Sequence, residues 1–221
     1  MIKLENVEGV QVVRMDAEEN RFNLAFTSEL AEAVGMATAA AATTGAPLAL
    51  TGTGKFFSNG LDLGWLQGAS SDEAKRLFER LYDVLAQLLE YPGATIAALN
   101  GHAFGAGAVL AAAVDMRAMR EDRGFFCFPE VDLGMTFSPE FLAVLQAAFP
   151  APVLRTAVLS GRRYGGPAAR DLGLVDAVAD EASLLATAIE LVRDLVGKPG
   201  PSVAALRAQL VGPALAVLRR D

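Results

Sequence analysis

The feature that most constrains this chain is a pair of short apolar runs, each followed by a glycine-bearing loop and then a helix-forming stretch. Leu48-Ala49-Leu50-Thr51 and Thr95 to Leu99 lack the polar alternation of a half-exposed strand. Such runs suit parallel strands buried on both faces. The first opens into Gly52 to Gly60, the second into Asn100-Gly101-His102-Ala103-Phe104-Gly105-Ala106-Gly107. Strands that alternate with helices predict an α/β fold.

The remaining pattern extends this reading. Val10 to Met15 roughly alternates and is expected as a half-exposed edge strand. A turn over Asp16 to Asn23 leads to a helix from about Ser28 to Thr43, with Glu29 in its first turn. A longer helix is expected over Asp72 to Tyr91, where Leu77, Leu81, Val84, Leu85, Leu88 and Leu89 recur on one side. Ala108 to Ala113 continues as helix, and Asp115 to Met119 and Phe125 to Phe128 are short strands, separated by the charged turn Arg120 to Arg123. The rest is mainly helical, over Pro139 to Ala148, Val153 to Leu159, Pro167 to Leu172, Glu181 to Val196 and Ser202 to Leu218, with an extended return at Gly173 to Val178. No sequence repeat of fixed period accompanies the succession.

Composition narrows the function. Of 221 residues, 52% are hydrophobic and 20% charged, so a sizeable core is available in one large domain with room for a helical appendage. The net charge of -7 and the small basic pairs Arg162-Arg163 and Arg219-Arg220 give no surface for nucleic acid. The single cysteine, Cys127, excludes an intrachain disulfide, and no zinc spacing is present. No run of 18 apolar residues predicts a membrane span, and the first 15 residues lack the apolar run of a signal peptide, so the cytoplasm is expected.

The chemistry is expected at the two junctions. Glycine relieves backbone restrictions there, and each following helix start leaves N–H groups without intrahelical acceptors. Two such groups converging on one oxygen make an oxyanion hole. Read from the residues alone, the loops are either connections or anion sites. The full phosphate-loop pattern and the dinucleotide fingerprint are both absent.

Together with Pro129-Glu130-Val131-Asp132-Leu133-Gly134, the two loops resemble the enoyl-CoA hydratase/isomerase, or crotonase, family. The runs Gly54 to Asp62 and Asp122 to Asp132 look most like its peroxisomal-type Δ3,Δ2-enoyl-CoA isomerases. The resemblance covers about residues 5 to 180, with three motifs in the family's order and spacing. It implies a crotonase-like spiral of ββα units capped by C-terminal helices. On that reading residues 1–178 form an acyl-CoA-binding core, and 179–221 serve oligomerisation and pocket closure. It also implies homotrimers or dimers of trimers, to which the Ala-rich helices would contribute buried surface. The expected partner is an acyl-CoA substrate, with coenzyme A carried by the substrate rather than held as a cofactor, and with no metal.

The family pattern assigns thioester-oxygen donors to the backbone of Leu61 and Ala106. It groups Lys55, Ser58, Asn59, Gly60, Asp62, Leu63, Trp65 and Gly105 as the substrate-binding set. Lys55 suits a CoA phosphate or solvent. Asp62, Asn59 and Ser58 suit backbone hydrogen bonds that shape the loop. Trp65 and Leu66 suit an adenine or acyl channel, or the core.

Family hydratases use two glutamates. One falls at Glu130, but the other position is Val109, which neither orients water nor exchanges a proton. A lone carboxylate suits isomerisation, with burial behind Phe125 to Phe128 raising the pKa of Glu130. The alternative is a structural Glu130 that caps a helix or pairs with arginine. Asp132 would share its side if the segment is extended. Glu140 follows Ser138-Pro139 and suits a helix start, or, as in family subgroups that carry the acid/base group on this later loop, a role beside Glu130. His102 is expected to make a structural hydrogen bond, and Cys127 to pack among phenylalanines. Other acyl-CoA reactions of the fold (hydration, thioester hydrolysis, decarboxylation) and a silent acyl-CoA binder are the competing readings.

Overall fold

The computed structural model describes residues 1–196, 198 and 200–219; Arg220, the last of the C-terminal arginine pair, lies outside the described residues. The chain opens with a strand that sequence pattern did not separate from its surroundings. Ile2–Val7 (β1) forms an antiparallel hairpin with Val10–Met15 (β2), from Ile2 opposite Met15 to Val7 opposite Val10. β2 also pairs in parallel with Leu48–Gly52 (β3). Val10 to Met15 is therefore an interior strand, not the expected edge. Val12, Val13 and Met15 have no exposed surface. Its polar Arg14 is accommodated because Glu5 of β1 stands 3.2 Å away.

The helix Leu24–Thr44 (α1) starts about a turn before Ser28, because the Asn23 side chain accepts from Phe26 N at 3.0 Å and caps it. Glu29 consequently lies beyond the first turn. Leu30, Val34, Ala37 and Ala41 form its buried stripe. They pack toward Ser71–Leu89 (α3), whose Leu77, Leu81, Val84, Leu85, Leu88 and Leu89 are buried as their spacing predicts. Each such leucine contributes about 1.5–3 kcal/mol by leaving water. A capping box between Ser70 and Glu73 sets where α3 begins.

Three successive units share one plan. β3 is followed by Phe56–Ser58 (β4), then the short helix Leu63–Gly68 (α2) and α3. Thr95–Leu99 (β5) is followed by His102–Phe104 (β6) and Ala106–Ala112 (α4). Met116–Arg120 (β7) is followed by Phe126–Cys127 (β8) and Pro139–Ala148 (α5). In each unit the first strand joins one sheet and the second joins another. The larger sheet has the order β1-β2-β3-β5-β7-β9, where β9 is Ala177–Ala179. The smaller has the order β4-β6-β8, all parallel. This is the α/β spiral of ββα units expected from the resemblance.

The larger sheet is covered on both sides. Its β2, β3 and β5 side chains Val13, Leu50 and Ala97 meet α1, α3 and α4 in the main core. Val12, Ala49, Ile96 and Ala98 meet Leu184, Ala188, Ile189 and Val192 of Leu184–Arg193 (α8) in a second cluster. Helices Ala151–Ser160 (α6) and Gly166–Leu172 (α7) precede β9. The last helix, Gly200–Arg219 (α9), packs on α3 and α5. Among the described residues, no helix is long and apolar enough to cross a membrane. The smaller sheet matters most for function, since the chain leaves β4, β6 and β8 toward one cavity.

Candidate active site

The two glycine-bearing junctions touch. Gly60 has φ 79°, and a Cβ there would stand 2.7 Å from the Phe104 carbonyl oxygen and 3.3 Å from Ala106 N. Only glycine allows this approach. Phe22 brackets the next residue: its N–H donates to Gly60 O at 2.8 Å, and its carbonyl accepts from Asp62 N at 3.0 Å. In this parallel bridge the N–H of Leu61 faces away from Phe22. Ala106 is the first residue of α4, and its N–H has no intrahelical partner. Neither N–H has an acceptor among the described residues.

Beside them lies a cavity of about 210 Å³. Seven of the twelve lining residues were expected from sequence: Asn59, Gly60, Leu61, Leu63, Gly105, Ala106 and Glu130. The other five are Arg21, Phe104, Pro129, Leu133 and Met135. Pro129 and Leu133 belong to the run that flagged Glu130, and Phe104 to the second loop. Arg21 comes from the turn before α1, where no spacing or motif distinguished it.

Four members of the expected substrate-binding set do not line this cavity. Ser58 is fully buried behind it. Asp62 caps α2, accepting from Trp65 N at 3.1 Å, and Trp65 packs partly buried against the main core. Lys55 is exposed, 5.4 Å above the Phe56 ring.

Glu130 follows β8 at the start of a turn, not in extended chain. Its carbonyl oxygen accepts from Leu133 N and Met135 N at 3.1 and 2.8 Å. The alternation that would have placed Asp132 on its side is thus broken, and the Asp132 carboxylate lies against Gly161. The Glu130 carboxylate passes close to the bare Cα of Gly105: a Cβ there would be 3.2 Å from Oε1. Oε2 is buried and has no hydrogen-bond partner among the described residues. Burial pushes the Glu130 carboxyl up to about 7. No described arginine or lysine pairs with it.

The cavity's cation, Arg21, is paired with Glu19 at 2.6 Å. The Asn59 amide and Arg21 hold Glu19 below the ordinary carboxylate range. Val109 is fully buried in the main core, and among the described residues that line the cavity only Glu130 carries a carboxylate. Glu140 sits in the first turn of α5, after the Ser138 cap. His102 makes no side-chain hydrogen bond that the sequence reading expected: its Nδ1 is buried without a partner among the described residues. Its ring instead stands 5.2, 4.9 and 5.5 Å from those of Phe56, Phe104 and Phe125. Cys127 is buried, donates to Gly161 O at 3.2 Å, and has its thiol pushed up to about 11 by burial, so it is no nucleophile at neutral pH.

A sequence model of the family described as "Enoyl-CoA hydratase/isomerase" matches residues 5–219. The chain belongs to this family. It is 40% identical over 164 residues to enoyl-CoA delta isomerase 2, peroxisomal, of Arabidopsis thaliana, covering 71% of this chain and 68% of that protein. It is 34% identical over 161 residues to the carnitinyl-CoA dehydratase of Escherichia coli K12, covering 72% of this chain and 60% of that one. Among solved structures, a probable enoyl-CoA hydratase, EchA3, of Mycobacterium tuberculosis has TM-score 0.89 at 24% identity, covering 99% of this chain and 92% of its own. That last likeness supports the fold. The family relatives carry names from both isomerase and dehydratase chemistry.

Proposed function

We propose that this enoyl-CoA hydratase/isomerase family member moves the double bond of a 3-enoyl-CoA thioester to give the trans-2-enoyl-CoA, as in fatty-acid oxidation. Family membership supports the acyl-CoA substrate. The observation that carries the choice of reaction is the cavity's single carboxylate, buried and unpartnered, beside two free backbone N–H groups.

Glu130 takes a proton from C2 of the 3-enoyl thioester. The C–H pair conjugates with the C3–C4 double bond, and charge moves onto the thioester oxygen. The N–H groups of Leu61 and Ala106 stabilise that dienolate oxygen. Electrons then return through C2–C3 toward C4, which takes the proton back from Glu130. Atoms and charge balance, and no water enters. A carboxyl with pKa about 7 suits both halves, because it accepts and releases a proton near neutral pH at little cost. We also propose assembly as a homotrimer or a dimer of trimers, with Leu206 and Leu210 of α9, 60% and 78% exposed, among the surfaces covered.

The second reading is another acyl-CoA reaction, hydration or dehydration above all. Its support is the likeness to the carnitinyl-CoA dehydratase. Addition of water requires a group to hold that water besides the proton donor, and Val109 supplies none. The deciding assay offers 3-enoyl-CoA and 2-enoyl-CoA of several chain lengths to the wild type and Glu130→Gln. Isomerisation by wild type, lost at least about 100-fold in the variant, is expected. Hydration without isomerisation would transfer the assignment to the second reading.

A further inference from the structure

The turn between β2 and α1 is built around a residue that the chemistry above does not use. Asn20 has no exposed surface and holds a left-handed backbone, φ 50°. Asparagine tolerates this region better than most residues. Its amide Nδ2 donates toward Phe57 O at 3.0 Å and toward Met15 O and Phe56 O, both at 3.3 Å. Its Oδ1 accepts from Ala17 N at 2.9 Å. The side chain therefore bonds to the end of β2, to its own turn and to β4.

The backbone of Asn20 continues the connection. Its carbonyl accepts from Ser58 Oγ at 2.7 Å, and Ser58 Oγ accepts from Gly60 N at 3.2 Å. Two residues along, Phe22 brackets Leu61 through Gly60 O and Asp62 N. Residues 58, 59 and 60 are thus each tied to residues 19–22: Asn59 N also donates to Glu19 O at 2.9 Å, and Asn59 Nδ2 to the Glu19 carboxylate at 2.6 Å. A loop that only joined β4 to α2 would not need its peptide planes fixed from a segment some 40 residues away. One N–H that must aim at a reacting oxygen does need it, since a small misplacement costs a large part of the rate.

We propose that Asn20, acting through the Ser58 hydroxyl, is a positioning residue that aims the Leu61 N–H into the cavity. This rests on the assignment of Leu61 as an oxyanion donor under the proposed function. Neither side chain lines the cavity, so neither touches substrate.

The test uses the full-length protein with Ser58→Ala, which deletes the hydroxyl oxygen, and Asn20→Ser, which replaces the carboxamide with a hydroxyl and removes its Nδ2 donor. The probe is a short 2-enoyl-CoA carrying ¹³C at the thioester carbonyl, read by infrared difference spectroscopy of the bound state. In the wild type, the carbonyl stretch is expected to fall on binding. In Ser58→Ala that fall shrinks by roughly half, as one of two donors loses its aim. In the same variant kcat drops about 10- to 100-fold while KM changes less than about threefold. The pH at which Glu130 titrates stays put, because its turn is on another element. Asn20→Ser, if it folds, shows the same pattern. Lower melting temperature with unchanged kcat and carbonyl frequency in Ser58→Ala would reduce the pair to a structural tie and overturn the proposal. No carbonyl shift in the wild type would instead remove the oxyanion assignment beneath it.

Discussion

The two walls of the cavity are built by opposite means. On the donor wall, Asn20, Ser58, Glu19 and Asn59 are all hydrogen-bonded, and their bonds converge on the backbone around Leu61. On the facing wall, Glu130 projects from a turn with Oε2 unpartnered among the described residues. The difference follows from what each wall must do. A donor acts by direction, so surplus hydrogen bonds that stiffen the backbone serve it. A proton carrier acts by free energy, so it needs a setting where neither charge state is strongly preferred. Partners on Glu130 would favour the anion and weaken it as a base.

The sharpest way to break the donor wall is Ala106→Pro. Proline is tolerated at the first helical position, where its missing N–H would have no intrahelical acceptor. The substitution deletes a donor and leaves the fold of α4 in place. We expect kcat for isomerisation to fall about 10²- to 10³-fold, the loss that follows removal of one oxyanion donor. Circular dichroism would check that the helix content is retained. An active Ala106→Pro enzyme would show that the donor wall does not act on the substrate.

A smaller effect comes from making the second wall resemble the first. Leu133 lines the cavity and is 56% exposed, so Leu133→Lys brings a cation to the Glu130 side without burying it. In the wild type, kcat/KM should rise with pH as Glu130 ionises, with its midpoint near pH 7. In Leu133→Lys this limb should move to lower pH by about one pH unit, since a nearby opposite charge favours the carboxylate. The plateau above it should fall modestly, because the base is weaker. A pH–rate profile of each protein reads both changes, and an unmoved limb would mean that the titrating group is not Glu130.

How far these walls were legible in sequence follows the same division. Glu130, Gly105, Ala106, Gly60 and Leu61 lie in short contiguous motifs, so their chemistry is local and readable. The α/β alternation was also readable, because buried runs such as Leu48 to Thr51 signal parallel strands, whereas β4 and β6 lie inside the glycine-bearing loops and the ββα plan came only from the family resemblance. Arg21 and Asn20 were not. They reach the site through long-range bonds of residues 19–22 to residues 56–62, the bridge from Phe22 to Leu61 among them, which leave no periodic trace. β1 escaped notice because Lys3 and Glu5 gave it a charged, alternating look, and without it β2 read as an edge. Asp132 shares the side of Glu130 only in extended chain, whereas carbonyl acceptance at Pro129 and Glu130 turns the segment. The early loop position of His102 suits a structural hydrogen bond, but three phenylalanine rings supply its setting instead.

The least effect, and the one that isolates the second wall from catalysis, is on stability. In the unfolded chain the Glu130 carboxyl titrates near its ordinary 4.5, and in the folded protein near 7. Between those values the native state holds a proton that the unfolded state has released, so stability falls as pH rises through this window. Below it the carboxyl is neutral in both states, and no cost arises. Above about 7 the full cost of a buried, unpartnered anion is present. Glu130→Gln keeps the shape and removes the charge. It should therefore leave the melting temperature unchanged near pH 4 and raise it at pH 8, by about 2–4 °C for each kcal/mol of that cost in a chain of this size. The Ser58→Ala protein, altered on the donor wall, should show a pH-independent loss instead. A thermal scan at the two pH values distinguishes a wall held by hydrogen bonds from one that bears the cost of a buried charge.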